Sequence, residues 1–307
     1  MGSTVREAYG SGIATVAERD DTVLEVWFHS FGLEAIVASE AAAPERDRVR
    51  RVRFVTVDIA IDLDRPPADA ADAYLRLHLL SGRVVEPNSV ALEGIFGVLA
   101  TVAWTDLGPV HVADLGEIRA RKRHEGQYLS VHSLDKLPRM LDLVNPDGIR
   151  IADANRVRLG AHLAPGTVVM HEGLVNYNAG TLGTSMVEGR ITQGSVVEEG
   201  ADIGAGSSIM GTLSGGGTNV LRIGRGALLG ANAGVGISLG ANSAVEAGLY
   251  VTRGTLVTLP DGNVVKAAEL DDVPGILLRR HSATGVVQAV PWKSNTFTGL
   301  NPDLHQS

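Results

Sequence analysis

The chain has 307 residues, enough for a central domain with smaller flanks and a sizeable core. A net charge of −8, a pI near 5.6 and the lack of any long Lys/Arg run argue against duplex nucleic acid or an anionic membrane as partner. With no cysteine, neither a disulfide nor a thiolate zinc site can form; with no basic leader over residues 1–20 and no run of 18 apolar residues, the reading is a soluble cytoplasmic protein.

Residues 1–110 read as an N-terminal α/β domain that serves packing and assembly. Val23–Phe31 and Val52–Ile61, rich in Val, Ile and Phe, predict strands, and Ala68–Leu80 has helical spacing behind Pro66 and Pro67, which predict its start. Ser89–Leu99 is a second candidate helix despite Gly94 and Gly97 inside it. A connecting region, 111–150, offers a strand-like Val110–Leu115, a charged Glu117–Glu125 and a helix-like Pro138–Leu143. It stops at the turn cluster Asn145-Pro146-Asp147-Gly148.

From residue 151 to 259 a period of six takes over. Eleven positions from Gly194 to Gly254 stand six apart and eight of them are glycine (Gly194, Gly200, Gly206, Gly224, Gly230, Gly236, Gly248, Gly254), with Thr212, Thr218 and Asn242 completing the ladder. Three places after each stands a small or aliphatic residue: Val197, Ile203, Ile209, Gly215, Leu221, Ala227, Ala233, Leu239, Val245, Val251, Val257. Neither a helix nor a lone strand has this period. It predicts a hexapeptide parallel β-helix in which one column turns and the other fills a narrow interior, in keeping with an aromatic content of 4%. The first part of the repeat has the same period in another phase, with Gly160, Gly166, Glu172, Asn178 and Thr184 as its turn column and Leu163, Val169, Val175, Thr181 and Val187 pointing inward. Two irregularities mark candidate sites. Val187 to Ile191 is a step of four, so two residues are missing around Glu188, Gly189 and Arg190; and Met210–Thr218 is a glycine-rich excursion that keeps the six-phase. After Thr258 a turn at Pro260–Asn263, a strand at Val264–Ala267, a hairpin from Gly275–Arg280 and Gly285–Trp292, and the polar tail Ser294–Ser307 form a C-terminal segment, 260–307.

With the repeat, the break Met186-Val187-Glu188-Gly189-Arg190-Ile191 and the runs Ser208–Gly217 and Leu229–Gly234 in hand, the sequence resembles tetrahydrodipicolinate N-succinyltransferase, in its actinobacterial type. The likeness covers most of the chain and is strongest from Arg150 to Arg280. It implies a mainly β protein with an α/β N-terminal region and a left-handed parallel β-helix core, assembled as a homotrimer with active sites between subunits. The implied reaction moves the succinyl group of succinyl-CoA to the amine of ring-opened tetrahydrodipicolinate, on the diaminopimelate route to lysine. Glu188 matches the family's catalytic glutamate, cast as an acyl-anhydride nucleophile; chemistry equally allows it to act as general base while the amine attacks directly. The N–H of Gly211 suits an oxyanion contact. Succinyl-CoA contacts carried over by the resemblance are Arg190, Ala205, Ser208, Ala231, Glu246, Gly248, Lys266, Arg279, Arg280, His281 and Ser282. Arg190 could grip a carboxylate, the other cations the CoA phosphates. Members of this type also carry magnesium on the trimer axis, at positions matched by Glu172 and Asn155, the latter standing where an acid is expected.

Rival readings are an acetyl-CoA-dependent acyltransferase, which Arg190 disfavours, and a non-enzymatic scaffold, which would keep its repeat regular. A zinc hydratase on a β-helix needs three histidines, whereas the repeat holds only His162 and His171.

Overall fold

The computed structural model describes residues 6–36, 45–211 and 220–292. Thr212–Gly217 of the glycine-rich excursion, with Thr218, and the tail Ser294–Ser307 lie outside them. The chain forms two compact units, one of residues 1–85 and 89–144, the other of residues 86–88 and 145–307.

The first unit contains two antiparallel sheets. Strands β1 (Glu7–Ala17), β2 (Val23–Gly32), β3 (Arg46–Asp47) and β4 (Val52–Asp62) lie in the order β2-β1-β4-β3. The expected strands at 23–31 and 52–61 are there, but they pair through β1, which composition hides. Its Gly10 and Gly12 carry no β signal, yet a Cβ at Gly12 would sit 2.2 Å from the Trp27 carbonyl oxygen of β2, so close pairing requires the glycine. Helix α1 (Ala70–Ser81) packs on this sheet. It begins two residues later than the prolines predict because Asp69 is its N-cap, accepting the Asp72 N–H at 2.9 Å. The expected helix at 89–99 shrinks to α2 (Ile95–Val98), since Gly94 takes the left-handed conformation (φ 76°) and breaks the run.

Strands β5 (Val102–Thr105), β6 (Gly108–His111) and β7 (Val131–Asp135) form the second sheet, and α3 (Leu115–His124) covers it through Leu115 and Ile118. The expected strand at 110–115 thus ends at His111, and the charged run 117–125 is the solvated face of a helix. Pro138–Leu143 holds only a single 3₁₀ turn, Met140–Asp142.

In the second unit, strands of two or three residues stack in parallel to make a left-handed β-helix with three faces. Face one carries Arg150–Ile151, Val168–Val169, Met186–Val187, Asp202–Ile203, Leu228–Leu229 and Ala244–Val245. Face two carries Leu174–Val175, Arg190–Ile191, Ser208–Ile209, Gly234–Val235 and Tyr250–Val251; face three, Ala161–Leu163, Ala179–Thr181, Val196–Val197 and Arg222–Ile223. The inward column of the first phase, Leu163, Val169, Val175, Thr181 and Val187, is fully buried. Thr181 is tolerated there because its Oγ1 lies 2.6 Å from that of Thr167 and accepts the Ala164 N–H. His162, itself buried, holds the Thr181 carbonyl oxygen through Nδ1 at 3.0 Å, a structural contact.

Beyond the excursion the expected column is displaced. Val197 stacks on Ile223, Ile203 on Leu229 and Ile209 on Val235, so Leu221, Ala227 and Ala233 are buried corner residues and not the stacked column. The phase is therefore not kept through the excursion. The step from Ile209 to Ile223 is fourteen residues, eight more than the period, which advances the phase by two. A second four-residue step, Val235 to Leu239, removes those two, and Leu239, Val245 and Val251 rejoin the predicted ladder. The left-handed turn residues shift likewise, to Gly226 and Asn232, and then return to Asn242 and Gly248. Gly224 and Gly230 are glycine for a different reason: a Cβ on either would lie 2.6 Å from the backbone nitrogen of Ala241 or Ala247 in the next coil.

The C-terminal hairpin is as expected: Ile276–Arg280 pairs antiparallel with Val287–Pro291 and extends face one beside Ala244–Val245. Among the described residues no helix is long and apolar enough to cross a membrane.

Candidate active site

The missing two residues fall at the edge between faces one and two. An ordinary corner on this edge puts four residues between strand pairs, as Gly204–Ser207 do; here only Glu188 and Gly189 separate Met186–Val187 from Arg190–Ile191. The chain is drawn tight against the next coil. The N–H groups of Glu188 and Gly189 both donate to the Ile203 carbonyl oxygen, at 2.8 and 3.0 Å, and the Arg190 N–H donates to that of Ser207 at 2.8 Å. A Cβ on Gly189 would come within 2.2 Å of Ser207 Oγ and 2.7 Å of its carbonyl oxygen, so the shortened corner admits no other residue without movement. Glu188, the last residue before this contact, is half-buried on the rim.

Successive corners of this edge bring the matched residues into one column. The Glu188 carbonyl oxygen accepts the Gly206 N–H, that of Ala205 the Asn232 N–H, and that of Ala231 the Gly248 N–H. Ala205, Ala231 and Gly248 are exposed and present backbone with little or no side chain, a shallow track about 4.8 Å longer with each coil. Just around the corner, on the outer side of face two, Arg190 stands in register with Ser208, Ser208 with Gly234, and Gly234 with Tyr250. The Tyr250 ring lies over Gly234, where a Cβ would be 2.4 Å from Cε1. Sequence reasoning missed Tyr250; its signal is that it precedes inward Val251 as Arg190 precedes Ile191 and Ser208 precedes Ile209.

Other matched residues have work inside the chain. Glu246 accepts the Arg280 N–H through Oε2 at 2.6 Å and donates its own N–H to Leu278, tying the hairpin to the edge. Arg280 reaches the Gly285 carbonyl oxygen at 3.0 Å, Arg279 lies 3.5 Å from Gln288 Oε1, and the tip holds His281, whose Nδ1 accepts the Thr284 N–H, and exposed Ser282. Lys266 is exposed on the outermost strand of face one, with two strands between it and the strand of Arg279 and Arg280. The Gly211 N–H donates to Thr192 Oγ1 at 2.9 Å, and that hydroxyl donates onward to the Ile209 carbonyl oxygen at 2.7 Å. Asn155 and Glu172 occupy corners of the same edge, in the two coils before Glu188. The Asn155 Nδ2 donates to Asp153 Oδ1 at 3.1 Å, and the Glu172 carboxylate, largely exposed, lies 3.8 Å from the Arg156 guanidinium. Among the described residues no three His, Asp or Glu side chains converge as a metal site would need.

A model described as tetrahydrodipicolinate N-succinyltransferase middle matches residues 99–139, and one described as the hexapeptide repeat of succinyl-transferase matches 220–253. The 2,3,4,5-tetrahydropyridine-2,6-dicarboxylate N-succinyltransferase of Vibrio cholerae is 50% identical over 272 residues, covering 87% of this chain and 79% of that protein. This chain belongs to the tetrahydrodipicolinate N-succinyltransferase family. A second family member, from Pseudomonas aeruginosa, is 52% identical over 248 residues, 79% of this chain and 71% of its own. A crystal structure from Campylobacter jejuni, named for 2,3,4,5-tetrahydropyridine-2-carboxylate N-succinyltransferase activity, superposes with a TM-score of 0.81 at 29% identity. It covers 94% of this chain and 93% of its own. The family likeness is thus not confined to the actinobacterial type. It also reaches outside the repeat: residues 99–139, read from sequence mostly as a connection, are the β5–β6–α3–β7 layer of the first unit.

Proposed function

We propose that this chain transfers the succinyl group of succinyl-CoA to the amine of ring-opened tetrahydrodipicolinate, giving N-succinyl-2-amino-6-oxopimelate and CoA. The observation that carries the site assignment is the short corner: a carboxylate, Glu188, is held on a rim with a guanidinium, Arg190, and a hydroxyl, Ser208, in adjacent register positions. The pantetheine arm lies along Ala205, Ala231 and Gly248, and the hairpin cations Arg279 and Arg280 meet the CoA phosphates, with His281 and Ser282 beside them. Lys266 serves as an outlying cation. Arg190 binds the free carboxylate of the succinyl group, which an acetyl donor lacks. The substrate amine attacks the thioester carbonyl carbon, Glu188 takes the amine proton, and the C–S bond breaks to release CoA as thiolate. Gly211 reaches the developing oxyanion only when its N–H leaves Thr192 Oγ1, so that role requires the corner to shift on substrate binding.

Homotrimeric assembly in the cytoplasm is part of the same proposal. The track is one exposed edge of a β-helix, and a neighbouring copy packed beside it would exclude water from the thioester. A magnesium ion fits poorly at Glu172 and Asn155. Glu172 already faces Arg156, and Asn155 brings no charge to a hard cation that favours carboxylates, so no step runs through a metal.

The test compares succinyl-CoA with acetyl-CoA. Arg190→Ala is expected to lower kcat/KM for succinyl-CoA at least about 10-fold more than for acetyl-CoA, as losing a charge-assisted contact of about 1.5–3 kcal/mol demands. Equal losses would remove Arg190 from the acyl end, and faster turnover of acetyl-CoA by the unaltered enzyme would make it an acetyltransferase. Mixing enzyme with succinyl-CoA alone distinguishes the two roles of Glu188: direct attack releases no CoA, whereas an anhydride releases one equivalent.

A further inference from the structure

A cavity of about 520 Å³ lies wholly within the first unit, in the size range of small-molecule sites. Its floor is one cross-strand row of the first sheet, Glu25–Thr15–Phe54, in register across β2, β1 and β4. Its far wall is Trp104 and Thr105 of β5, and Trp27, 43% exposed, stands at its rim. Besides Glu25, five charged or titratable groups line it, and four of them are answered or lie open to water. Arg139 and Asp142 close on each other, with Nε 3.1 and 3.0 Å from the two carboxylate oxygens. Asp106 accepts the Ser130 N–H at 3.1 Å, and His132 is exposed at the edge. The exception is Arg50. It spends Nε on Asp47 Oδ2, at 2.7 Å, and rests its guanidinium against the Phe54 ring at 5.5 Å, while its two terminal nitrogens make no hydrogen bond among the described residues.

Glu25 is the complementary case. Its carboxyl lines the cavity with no hydrogen-bond or ion-pair partner among the described residues. A carboxyl taken out of water without a partner is destabilising unless something binds it. Nothing in the proposed succinyl transfer uses either group.

We infer that this cavity is a binding site for a small zwitterion, whose carboxylate bridges to the terminal nitrogens of Arg50 and whose ammonium group pairs with Glu25 between the rings of Trp27, Phe54 and Trp104. The aromatic walls favour the ammonium end by cation–π attraction as well as excluding water. Burial raises the Glu25 carboxyl to about 7, against the pull of the Arg50 charge and with a smaller push from Asp142. An ammonium ligand binds the ionised form, so affinity rises with pH through that value and binding releases a proton. His132 stands exposed at the cavity edge, where positive charge favours the carboxylate end of the ligand and not the ammonium end that Glu25 binds.

The full chain is titrated by calorimetry and by tryptophan fluorescence with glycine, 4-aminobutyrate and 6-aminohexanoate, zwitterions of increasing charge separation. Butyrate and butylamine are the singly charged controls. The expected result is that at least one zwitterion binds at least about 10-fold more tightly than either control, more tightly at pH 8 than at pH 6. Glu25→Gln and Arg50→Lys should each lower that affinity at least about 10-fold. Because Arg50 also holds Asp47, a far-UV spectrum and melting curve accompany each variant, and the isosteric Glu25→Gln carries the decision if Arg50→Lys unfolds. No saturable binding of any zwitterion up to 50 mM, butyrate or butylamine binding as well as the best zwitterion, or unchanged affinity in Glu25→Gln would overturn the inference. None of these outcomes bears on succinyl transfer.

Discussion

Glu188 and Gly189 share the short corner, one proposed to carry the chemistry and the other allowing the chain to pass. Glu188→Gln keeps shape and hydrogen bonding but removes both base and nucleophile. We expect kcat to fall at least about 10²-fold with KM for succinyl-CoA nearly unchanged, the pattern of a group needed only in the transition state. Steady-state rates for both substrates check this, and retained activity would take Glu188 out of the mechanism. In the first unit His78 and Glu25, the latter half-buried in the cavity wall, set opposite pH dependences. His78 is fully buried, with Nδ1–H donating to the Tyr74 carbonyl oxygen at 2.7 Å and Nε2 accepting the Phe28 N–H at 3.3 Å, and burial lowers it to about 4. The unfolded chain binds a proton there between about pH 6.5 and 4 that the folded chain refuses, so this stability is lost as pH falls through that window. Glu25, raised to about 7, keeps a proton that the unfolded chain releases, so its stability is lost as pH rises from about 4.5 to 7. Each effect is worth about 1–3 kcal/mol after screening by cavity water. Between pH 4.5 and 6.5 they offset, and a melting series should show a nearly flat apparent Tm for the unaltered chain. In Glu25→Gln it should decline steadily toward acid across that range, and above pH 7 that variant should be the more stable protein.

At the scale of the element, the long excursion and the second short corner, Val235 to Leu239, offset each other in phase. Each coil pairs strand on strand with the next whatever the count along the chain, so an insertion that is not a multiple of six shifts the sequence ladder and leaves the stacked columns aligned. The eight extra residues before Val220 advance the phase by two, and the short step from Val235 to Leu239 takes those two out within two further strands. The short step at Glu188 has no such partner, because it joins two stretches that had different phases in the sequence from the outset. Glycines on this scaffold are therefore of unequal value. Gly189→Ala should destabilise by about 1–3 kcal/mol through overpacking against Ser207 and disturb Glu188 with it. Gly254→Ala meets nothing within 4 Å and has no left-handed φ, so it should be neutral or slightly stabilising. Denaturant unfolding of the pair checks the contrast, and equal effects would show that the corner relaxes around a methyl group.

For the whole molecule, the edge proposed to hold succinyl-CoA, formed from exposed Ala205, Ala231 and Gly248, asks for a second surface to close it. We expect light scattering to give a trimer, with activity lost on dilution below its dissociation constant; a fully active monomer would sink that expectation. The first unit accounts for nearly half the chain and has its own sheets, helices and cavity.

The period of six was enough by itself to determine the β-helix, because every coil repeats one local rule: a turn residue, then an aliphatic residue pointing inward. The same regularity exposed the missing pair at Glu188, and the hairpin and the turn cluster at 145–148 were equally local. Tertiary structure decided what depends on neighbours distant in sequence. The stacked column after the excursion belongs to Ile223, Leu229 and Val235 because coils pair with coils and a count along the chain does not see them. Tyr250 joins Arg190 and Ser208 only through register across four coils. In the first unit β1 is a strand because β2 and β4 hold it on both sides, and its glycines are read correctly only against Trp27 and Phe28. The cavity of Glu25 and Arg50 arises from two sheets facing each other, and no spacing within either sheet records that the other is there.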